Sequence, residues 1–265
     1  ERPVYDPLIQ GLSGLATVQA GADELRPQLV RTILPDKLTG VTAAQAITAA
    51  LFARERTGKS QHVRLSMLDA IIAFLWSSDM GSQTFVHSEV PQQEAASLQD
   101  LIYETTTGYI TIAVQSDREW QALIRALNRP DWANDPRFLT AELRQENIDA
   151  RLELIQSVIK TDSAEHWLAR LEAERVPSAP VLTRTQLLDH PQVQANNLLS
   201  HYDHPQAGRL RQARAPSRFS ATPEQHWKGA PRLGEQTSEL LAECGYTEEE
   251  IQSMCDSGIA SVATG

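Results

Sequence analysis

The 265-residue sequence has little of several residue types, and each shortage excludes a class of protein. Only two cysteines are present, Cys244 and Cys255, without metal-ligand spacing to a histidine, so we expect free thiols in a reduced compartment. The 13 glycines and 14 prolines are near average usage, which excludes collagen-like and low-complexity chains. No apolar run reaches the roughly 20 residues of a membrane span, and the first residues lack a signal-peptide layout. The shortages predict a soluble cytoplasmic protein without a membrane partner.

Positive charge is also in short supply. The 24 lysines and arginines face 34 acidic residues, which gives a formal net charge of -10. A nucleic-acid binder needs a basic face to neutralise phosphates, so we predict no nucleic-acid partner. One local basic cluster could bind phosphates, although a solvated surface explains it equally well: Arg209, Arg211, Arg214 and Arg218. The seven histidines show none of the helical spacings of metal sites, so we predict no metal.

The remaining sequence alternates helical and extended patterns, which is typical of an α/β protein. Its clearest helix is alanine-rich, covers residues 41–56 and stops at Gly58. Alternation over residues 61–67 predicts a half-buried strand, and residues 103–114 predict a hairpin. Further helices are predicted over residues 68–76, 117–127, 141–160, 163–174 (with Ser163 as a possible N-cap) and 185–196. This order suggests a small α+β module at residues 81–190, between flanking parts at 1–80 and 191–265.

One carboxylate has a position that suits chemistry. Asp36 lies at or just before the start of the long helix, where free backbone N–H groups and the helix dipole favour an anion. Such a carboxylate is oriented and available as a nucleophile, but spacing alone favours a simple N-cap. Gly40 would allow a ligand or another backbone to approach closely. The residues by themselves therefore indicate an α/β protein with one suggestive carboxylate.

Several short segments follow one another in an order and spacing that are specific together, although each is weak alone. They are residues 2–14, 36–40, 54–61, 65–70, 107–110, 135–138, 176–181 and 233–237. Together they resemble the class III CoA-transferase family, which also contains α-methylacyl-CoA racemases. The resemblance covers nearly the whole chain. The family's Rossmann-like amino-terminal part, which holds much of the CoA-binding surface, is not in this sequence.

The resemblance implies an α/β fold with two domains. Residues 1–80 and 191–265 would belong to a Rossmann-like large domain, and residues 81–190 would form a small α+β domain. Two subunits would interlock like linked rings into a homodimer, with the active site at their interface. Residues 88–100 would correspond to the family's glycine-rich loop over the active site, although they contain no glycine.

The resemblance also implies a mechanism in which Asp36 is the nucleophile. Its carboxylate would attack an acyl-CoA thioester, and CoA would pass through an aspartyl intermediate to a carboxylic acid acceptor. Backbone N–H groups near the helix start would stabilise the oxyanion. Substrate or CoA binding is expected at Tyr5, Gln10, Lys37 and Gly40. CoA thioester is then a substrate, and no permanently bound cofactor is expected.

Two alternatives stay open beside CoA transfer. One is an acyl-CoA racemase or epimerase of the same family, which needs a histidine as second acid or base. Tyr5 stands at the position of that histidine, so CoA transfer is the stronger prediction. The other alternative is an inactive, truncated or partner-binding subunit, because the amino-terminal part is not in the sequence.

Overall fold

The structure is a computed structural model, and it describes residues 3–86, 101–204, 206–223 and 229–263. These residues form a mixed α/β chain, as predicted, in two compact units, Glu1–Val181 and Leu182–Gly265. The division predicted at residues 80 and 190 stays a prediction. The active-site loop predicted over residues 88–100 lies outside the described residues.

The described part of the first unit is built from helices and one sheet. Its helices are α1 (Asp6–Leu12), α2 (Leu15–Ala20), α3 (Leu34–Thr57), α4 (Met67–Trp76), α5 (Asp117–Ala126), α6 (Ala141–Glu146), α7 (Ile148–Ile159) and α8 (Ala164–Ala173). Its strands are β1 (Ile102–Thr105), β2 (Gly108–Ile112) and β3 (Ser178–Pro180). Short 3₁₀ helices follow α4 and α5, at Gly81–Gln83 and Pro130–Asn134.

The three strands form an antiparallel sheet in the order β1-β2-β3, and the first two strands are the predicted hairpin. Tyr103 pairs with Ile110, and both side chains are buried, as is that of Ile112. Because side chains alternate between the faces of a strand, these three lie on the same face. Gly108 has a φ of 144°, a conformation that glycine adopts without steric cost, at the point where the chain enters β2.

The larger hydrophobic cluster packs α5, α7 and α8 against the buried face of this sheet. The rings of Trp120 and Trp132 stack with their centroids 6.2 Å apart. Phe138 meets Trp120 edge-on, with a centroid distance of 5.6 Å. Large aromatic side chains dominate the energetics of a core, so this group is a main source of stability for residues 102–176.

A smaller hydrophobic cluster joins α1 to α4. Its buried members are Ile9, Leu15, Ile71 and Leu75. Although α3 packs against α1 and α4, Pro35 is its one buried residue within this chain. Most of α3 therefore lies at the surface of the unit, and in its first turn Asp36 and Lys37 are exposed.

The start of α3 differs from the prediction. The helix ends before Gly58 as expected, but it begins at Leu34 instead of Val41. The sequence does not predict these first turns, because Pro35 and Gly40 are both unfavourable in a helix interior. Proline is tolerated in the first turn, where its missing N–H has no intrahelical partner, and an interior glycine costs only about 1 kcal/mol. Asp36 consequently lies within the first turn of the helix.

Three other predicted elements need correction. The strand predicted over residues 61–67 is wrong, because residues 61–66 are exposed and pair with no described strand. An alternating pattern favours an extended backbone but does not supply a neighbouring strand. The helix predicted over residues 141–160 is two helices, α6 and α7. The helix predicted over 185–196 is also two, and it breaks before Pro191, where the preceding residue is disfavoured in a helix.

The described part of the second unit contains short helices and one hairpin. Its elements are α9 (Gln186–Asp189), α10 (Pro191–Ala195), β4 (Leu199–His204), β5 (Gly208–Ala213), α11 (Thr237–Glu243) and α12 (Glu248–Asp256). β4 and β5 are antiparallel, with Leu199 opposite Ala213. Cys244 and Cys255 are free thiols, as predicted.

Candidate functional site

Asp36 is the third residue of α3, and its side chain is exposed. Within the described ranges, no hydrogen bond or ion pair occupies either of its carboxylate oxygens. The N-cap of α3 is Ile33, which has no side chain capable of capping, so the N-cap interpretation of Asp36 is wrong. The positive end of the helix dipole favours a carboxylate in this turn. Asp36 therefore offers an oriented carboxylate to solvent or to a ligand.

The backbone of Asp36 is held by a buried carboxylate from another helix. The Asp36 N–H donates to Oδ2 of Asp6, the first residue of α1, at 3.3 Å. The other Asp6 oxygen, Oδ1, accepts from Nε2 of Gln10 at 2.6 Å. Gln10 in turn accepts the Val30 N–H on Oε1 at 2.9 Å, and its Nε2 lies 3.3 Å from the carbonyl oxygen of Thr32. This network joins α1, the segment before α3 and the first turn of α3.

The first turn of α3 leaves no backbone donor for an oxyanion. The Leu34 N–H donates to the carbonyl of Thr32 at 2.8 Å, Pro35 has no N–H, and the Asp36 N–H donates to Asp6. The Lys37 N–H makes the first bond of the helix, to Ile33. The expected oxyanion donors near the helix start are thus engaged within this chain.

The remaining predicted binding residues occupy different environments. Tyr5 is the N-cap of α1 and is 73% exposed. Lys37 is exposed, and its Nζ donates to Oγ1 of Thr32 at 2.8 Å. Gly40 lies inside α3, and a Cβ placed there would meet no described atom within 4 Å beyond the neighbouring backbone of the helix itself. Gln10, by contrast, is only 2% exposed and bonds to the chain's own groups. Tyr5, Lys37 and Gly40 are accessible to a ligand, and Gln10 is not.

The basic cluster of the second unit is engaged with neighbouring groups. It consists of Arg209, Arg211, Arg214 and Arg218. Arg209 forms an ion pair with Asp203 at 3.5 Å. Arg214 and Arg218 both donate to the backbone carbonyl of Asn196. Arg211 donates to a histidine of β4. These contacts favour the interpretation of a solvated surface over that of a phosphate site.

Clusters of metal-ligating side chains and membrane-spanning helices are both missing from the part of the chain that the structure describes. No group of three or more His, Cys, Asp or Glu residues there could hold a metal ion. No helix among those residues has both the length and the apolar character to span a bilayer.

Comparison with known proteins identifies the family. The model of CoA-transferase family III matches residues 1–237. The chain belongs to CoA-transferase family III. Its similarity to curated members is moderate: it is 29% identical to an acetyl-CoA:oxalate CoA-transferase of Acetobacter aceti and 28% identical to a formyl-CoA:oxalate CoA-transferase of Escherichia coli O157:H7. These matches take in 93% and 94% of this chain but only 63% and 65% of the two transferases, so the chain spans somewhat less than two thirds of their length.

The solved structures of two similar proteins agree with this family III assignment. A CAIB/BAIF family protein from Brucella suis is 28% identical, has a TM-score of 0.75 and is matched over 92% of this chain. The Mycobacterium tuberculosis protein Rv3272 is 25% identical, with a TM-score of 0.70 over 84% of this chain. The chain covers 63% and 59% of those two structures, respectively.

Sequence reasoning missed Asp6 as a residue of the site. It lies within the family segment at residues 2–14, but no local pattern connects it to Asp36, thirty positions later. Two signals could have indicated it. Asp6 and Gln10 are four residues apart, so they share one face of a helix, and Ile33 and Leu34 provide no capping side chain for α3.

Proposed function

We propose that this protein transfers CoA from an acyl-CoA thioester to a carboxylic acid, with Asp36 as the covalent nucleophile. One observation carries the proposal: the Asp36 carboxylate is exposed and unpaired within the described residues, while its backbone is fixed by Asp6. A nucleophile needs free oxygens and a fixed position, and this arrangement supplies both. Membership of CoA-transferase family III supports the same reaction class.

The proposed reaction needs no external acid, base or electron donor. An Asp36 oxygen attacks the thioester carbonyl carbon, the C–S bond breaks, and a mixed anhydride and CoA thiolate form. The thiolate attacks the aspartyl carbonyl and releases the first acyl group as a carboxylate. The acceptor carboxylate then attacks the aspartyl-CoA thioester, which gives a second anhydride and thiolate. Attack of that thiolate on the acceptor acyl group forms the new thioester and regenerates Asp36, so we propose that no permanent cofactor takes part.

The relatives indicate which substrates to test first. Two similar enzymes are named for acetyl-CoA or formyl-CoA as donor and oxalate as acceptor. We propose that this protein likewise uses a short acyl-CoA and a small carboxylic acid. Acetyl-CoA with oxalate is the first pair to assay, and oxalyl-CoA would be the product.

The test compares two aspartates at equivalent helical positions. Asp69 is the third residue of α4 and is exposed, as Asp36 is in α3. The protein, expressed from its complete reading frame, is mixed with acetyl-CoA and oxalate, and CoA esters are measured by mass spectrometry. Asp36→Asn should reduce transfer by at least about a thousandfold, because an amide is a poor nucleophile, while Asp69→Asn keeps it.

Chemical trapping identifies the intermediate independently of turnover. Hydroxylamine added with acetyl-CoA should convert the peptide that contains Asp36 to a hydroxamate in the wild-type protein. The Asp69→Asn protein should give the same adduct, and the Asp36→Asn protein should give none. Full transfer activity in Asp36→Asn, or an adduct on another residue, would disprove the assignment of Asp36.

We also propose that the protein works as a homodimer. Three large apolar side chains on α3 support this: Val41 is 70%, Ile47 52% and Phe52 66% exposed within the single chain. Exposed apolar groups of this kind mark protein interfaces. Sedimentation of the protein should give twice the mass of one chain, and a monomer at micromolar concentration would contradict the dimer. We also propose a cytoplasmic location, so cell fractionation should recover the protein with the cytoplasmic fraction.

A further inference from the structure

Asp6 is a buried acidic residue that the proposed reaction does not use directly. Its exposure is 4%, and charged side chains are almost never buried so deeply unless they are paired. Within the described residues no lysine or arginine forms an ion pair with it. Its described partners are the amide side chain of Gln10 and the backbone N–H of Asp36. These two contacts offset the cost of its burial.

The direction of each hydrogen bond in this network is fixed by the backbone. The Val30 N–H can only donate, so the Gln10 atom that faces it must be the oxygen Oε1. The amide nitrogen of Gln10 then faces Asp6 and donates to Oδ1. The Asp36 N–H donates to Oδ2, so both oxygens of Asp6 accept. An ionised carboxylate satisfies both donors, and an amide in its place would satisfy only one.

Asp6 performs for α3 the task that a local residue performs for α4. In α4 the N-cap Ser66 accepts the N–H of Asp69 on its hydroxyl at 3.1 Å. In α3 the N-cap is Ile33, and the equivalent N–H, that of Asp36, is accepted by Asp6 from α1. The start of α3 therefore depends on a distant residue that bonds directly to the backbone of the proposed nucleophile.

We propose that Asp6 is a positioning residue for Asp36 and that Gln10 holds Asp6 in the required orientation. The proposal rests on the proposed function, because it treats Asp36 as the reacting carboxylate. By accepting the Asp36 N–H, Asp6 fixes the backbone position from which the Asp36 side chain projects. A displacement of about 1 Å in a reacting group can cost about a hundredfold in rate, so this anchor should affect turnover.

Three variants test the network with minimal change in shape. Asp6→Asn is isosteric but presents one acceptor and one donor, so either Gln10 or Asp36 loses its partner. The double variant Asp6→Asn/Gln10→Glu exchanges donor and acceptor in the bond between positions 6 and 10. The new carboxylate at position 10 then accepts from both the Val30 N–H and the Asn amide. Ser66→Ala is the matched control, since it removes the equivalent cap from α4 without touching Asp36.

Two measurements are made on each variant. Steady-state kinetics with acetyl-CoA and oxalate give kcat and KM separately. Hydrogen exchange measured by mass spectrometry reports the opening of the first turns of α3 and α4. Asp6→Asn should lower kcat by at least about tenfold with KM within about twofold, and amide exchange at residues 34–38 should rise by about tenfold.

The double variant and the control separate positioning from general destabilisation. Asp6→Asn/Gln10→Glu should recover part of both losses, but not all, because the new carboxylate lies near the Thr32 carbonyl. Ser66→Ala should raise exchange at the start of α4 and leave kcat within about twofold. An Asp6→Asn protein with wild-type kcat, or with unchanged exchange at residues 34–38, overturns the proposal. A wild-type protein without transferase activity contradicts the proposed function instead, and the exchange comparison then decides whether Asp6 anchors Asp36.

Discussion

Asp36 and Asp69 occupy the same position in two successive helices, but their backbone amides bond to acceptors of different origin. The acceptor of the Asp69 N–H is Ser66, three residues earlier, and that of the Asp36 N–H is Asp6, thirty residues earlier. A local cap forms wherever its helix forms. The start of α3 requires α1 to be in place as well, so the geometry around Asp36 depends on tertiary structure.

The first prediction concerns Gly40, where one substitution should change the stability of the helix and the binding of a ligand in separately measurable ways. Gly40 lies inside α3, and among the described residues a Cβ there would meet no atom within 4 Å outside the adjacent helix backbone. Gly40→Ala should therefore stabilise the protein by about 0.5–1 kcal/mol in urea unfolding. If acyl-CoA approaches the helix at this point, as we expect, KM for acyl-CoA rises severalfold.

Gly11→Ala is the matched control for Gly40. Gly11 also lies in a helix, α1, and a Cβ at this position would likewise meet no described atom within 4 Å apart from the adjacent helix backbone. The substitution should stabilise the protein in the same direction without a change in KM. An unchanged KM in Gly40→Ala would remove Gly40 from the substrate site.

Local patterns predict those parts of the fold that local interactions determine. Ser163 is a predicted N-cap, and it accepts the His166 N–H at the start of α8. The hairpin at residues 103–114 and the helix at 117–127 are also confirmed, since a turn glycine and a capping serine lie within or beside them. Each of these signals lies within a few residues of the element that it predicts.

Two of the failures share a physical reason, which is dependence on a distant partner. Residues 61–66 have the alternation of a strand, but a strand also needs a neighbour, and no described strand pairs with them. At the start of α3, Pro35 and Gly40 argue against a helix, and the acceptor that secures this start, Asp6, belongs to α1. For the candidate site, the sequence indicates the carboxylate of Asp36 and the helix that carries it. The network that holds the Asp36 backbone joins residues far apart in the chain, so only the three-dimensional structure reveals it.

The aromatic core yields a stability prediction. Phe138 is 1% exposed and packs edge-on against Trp120. Phe138→Ala should lower the free energy of unfolding by about 3–5 kcal/mol, because it removes buried area and leaves a cavity. Phe219, which is 66% exposed, serves as the control, and Phe219→Ala should change stability by less than about 0.5 kcal/mol. Equal effects of the two substitutions in urea unfolding would contradict this packing.

A buried arginine near that core should matter more than a surface one. Arg144 is 3% exposed, donates from Nη1 to the carbonyl of Phe138 at 3.1 Å and also bonds to Asp117. Arg144→Met should cost about 2 kcal/mol, because a buried carbonyl then lacks its donor. Arg54→Met removes an exposed pair with Glu55 at 3.8 Å and should cost less than about 0.5 kcal/mol. A smaller loss for Arg144→Met than for Arg54→Met would show that the Phe138 carbonyl finds another donor.

The capping box of α5 predicts a specific dependence of stability on pH. The backbone amides of Gln115 and Ser116 each donate to Oε2 of Glu119 at 3.0 Å, and these bonds hold the pKa of the Glu119 carboxyl below its ordinary value of 4.5. Because the pKa is lower in the folded state, the unfolded chain binds the proton more tightly. The stabilisation by Glu119 is therefore complete above the unfolded pKa and is lost as the pH falls through the folded pKa.

Glu119→Gln keeps an acceptor at this position but removes the titration. The wild-type protein should be more stable than Glu119→Gln at neutral pH, and the difference should shrink as the pH is lowered from about 5 to about 3. Urea unfolding monitored by tryptophan fluorescence at each pH measures it. Glu153→Gln, at an exposed position of α7, controls for the loss of one negative charge. A difference that stays constant over this range, or that also shrinks in the Glu153 control, would mean that the hydrogen bonds to Glu119 do not set the pH dependence.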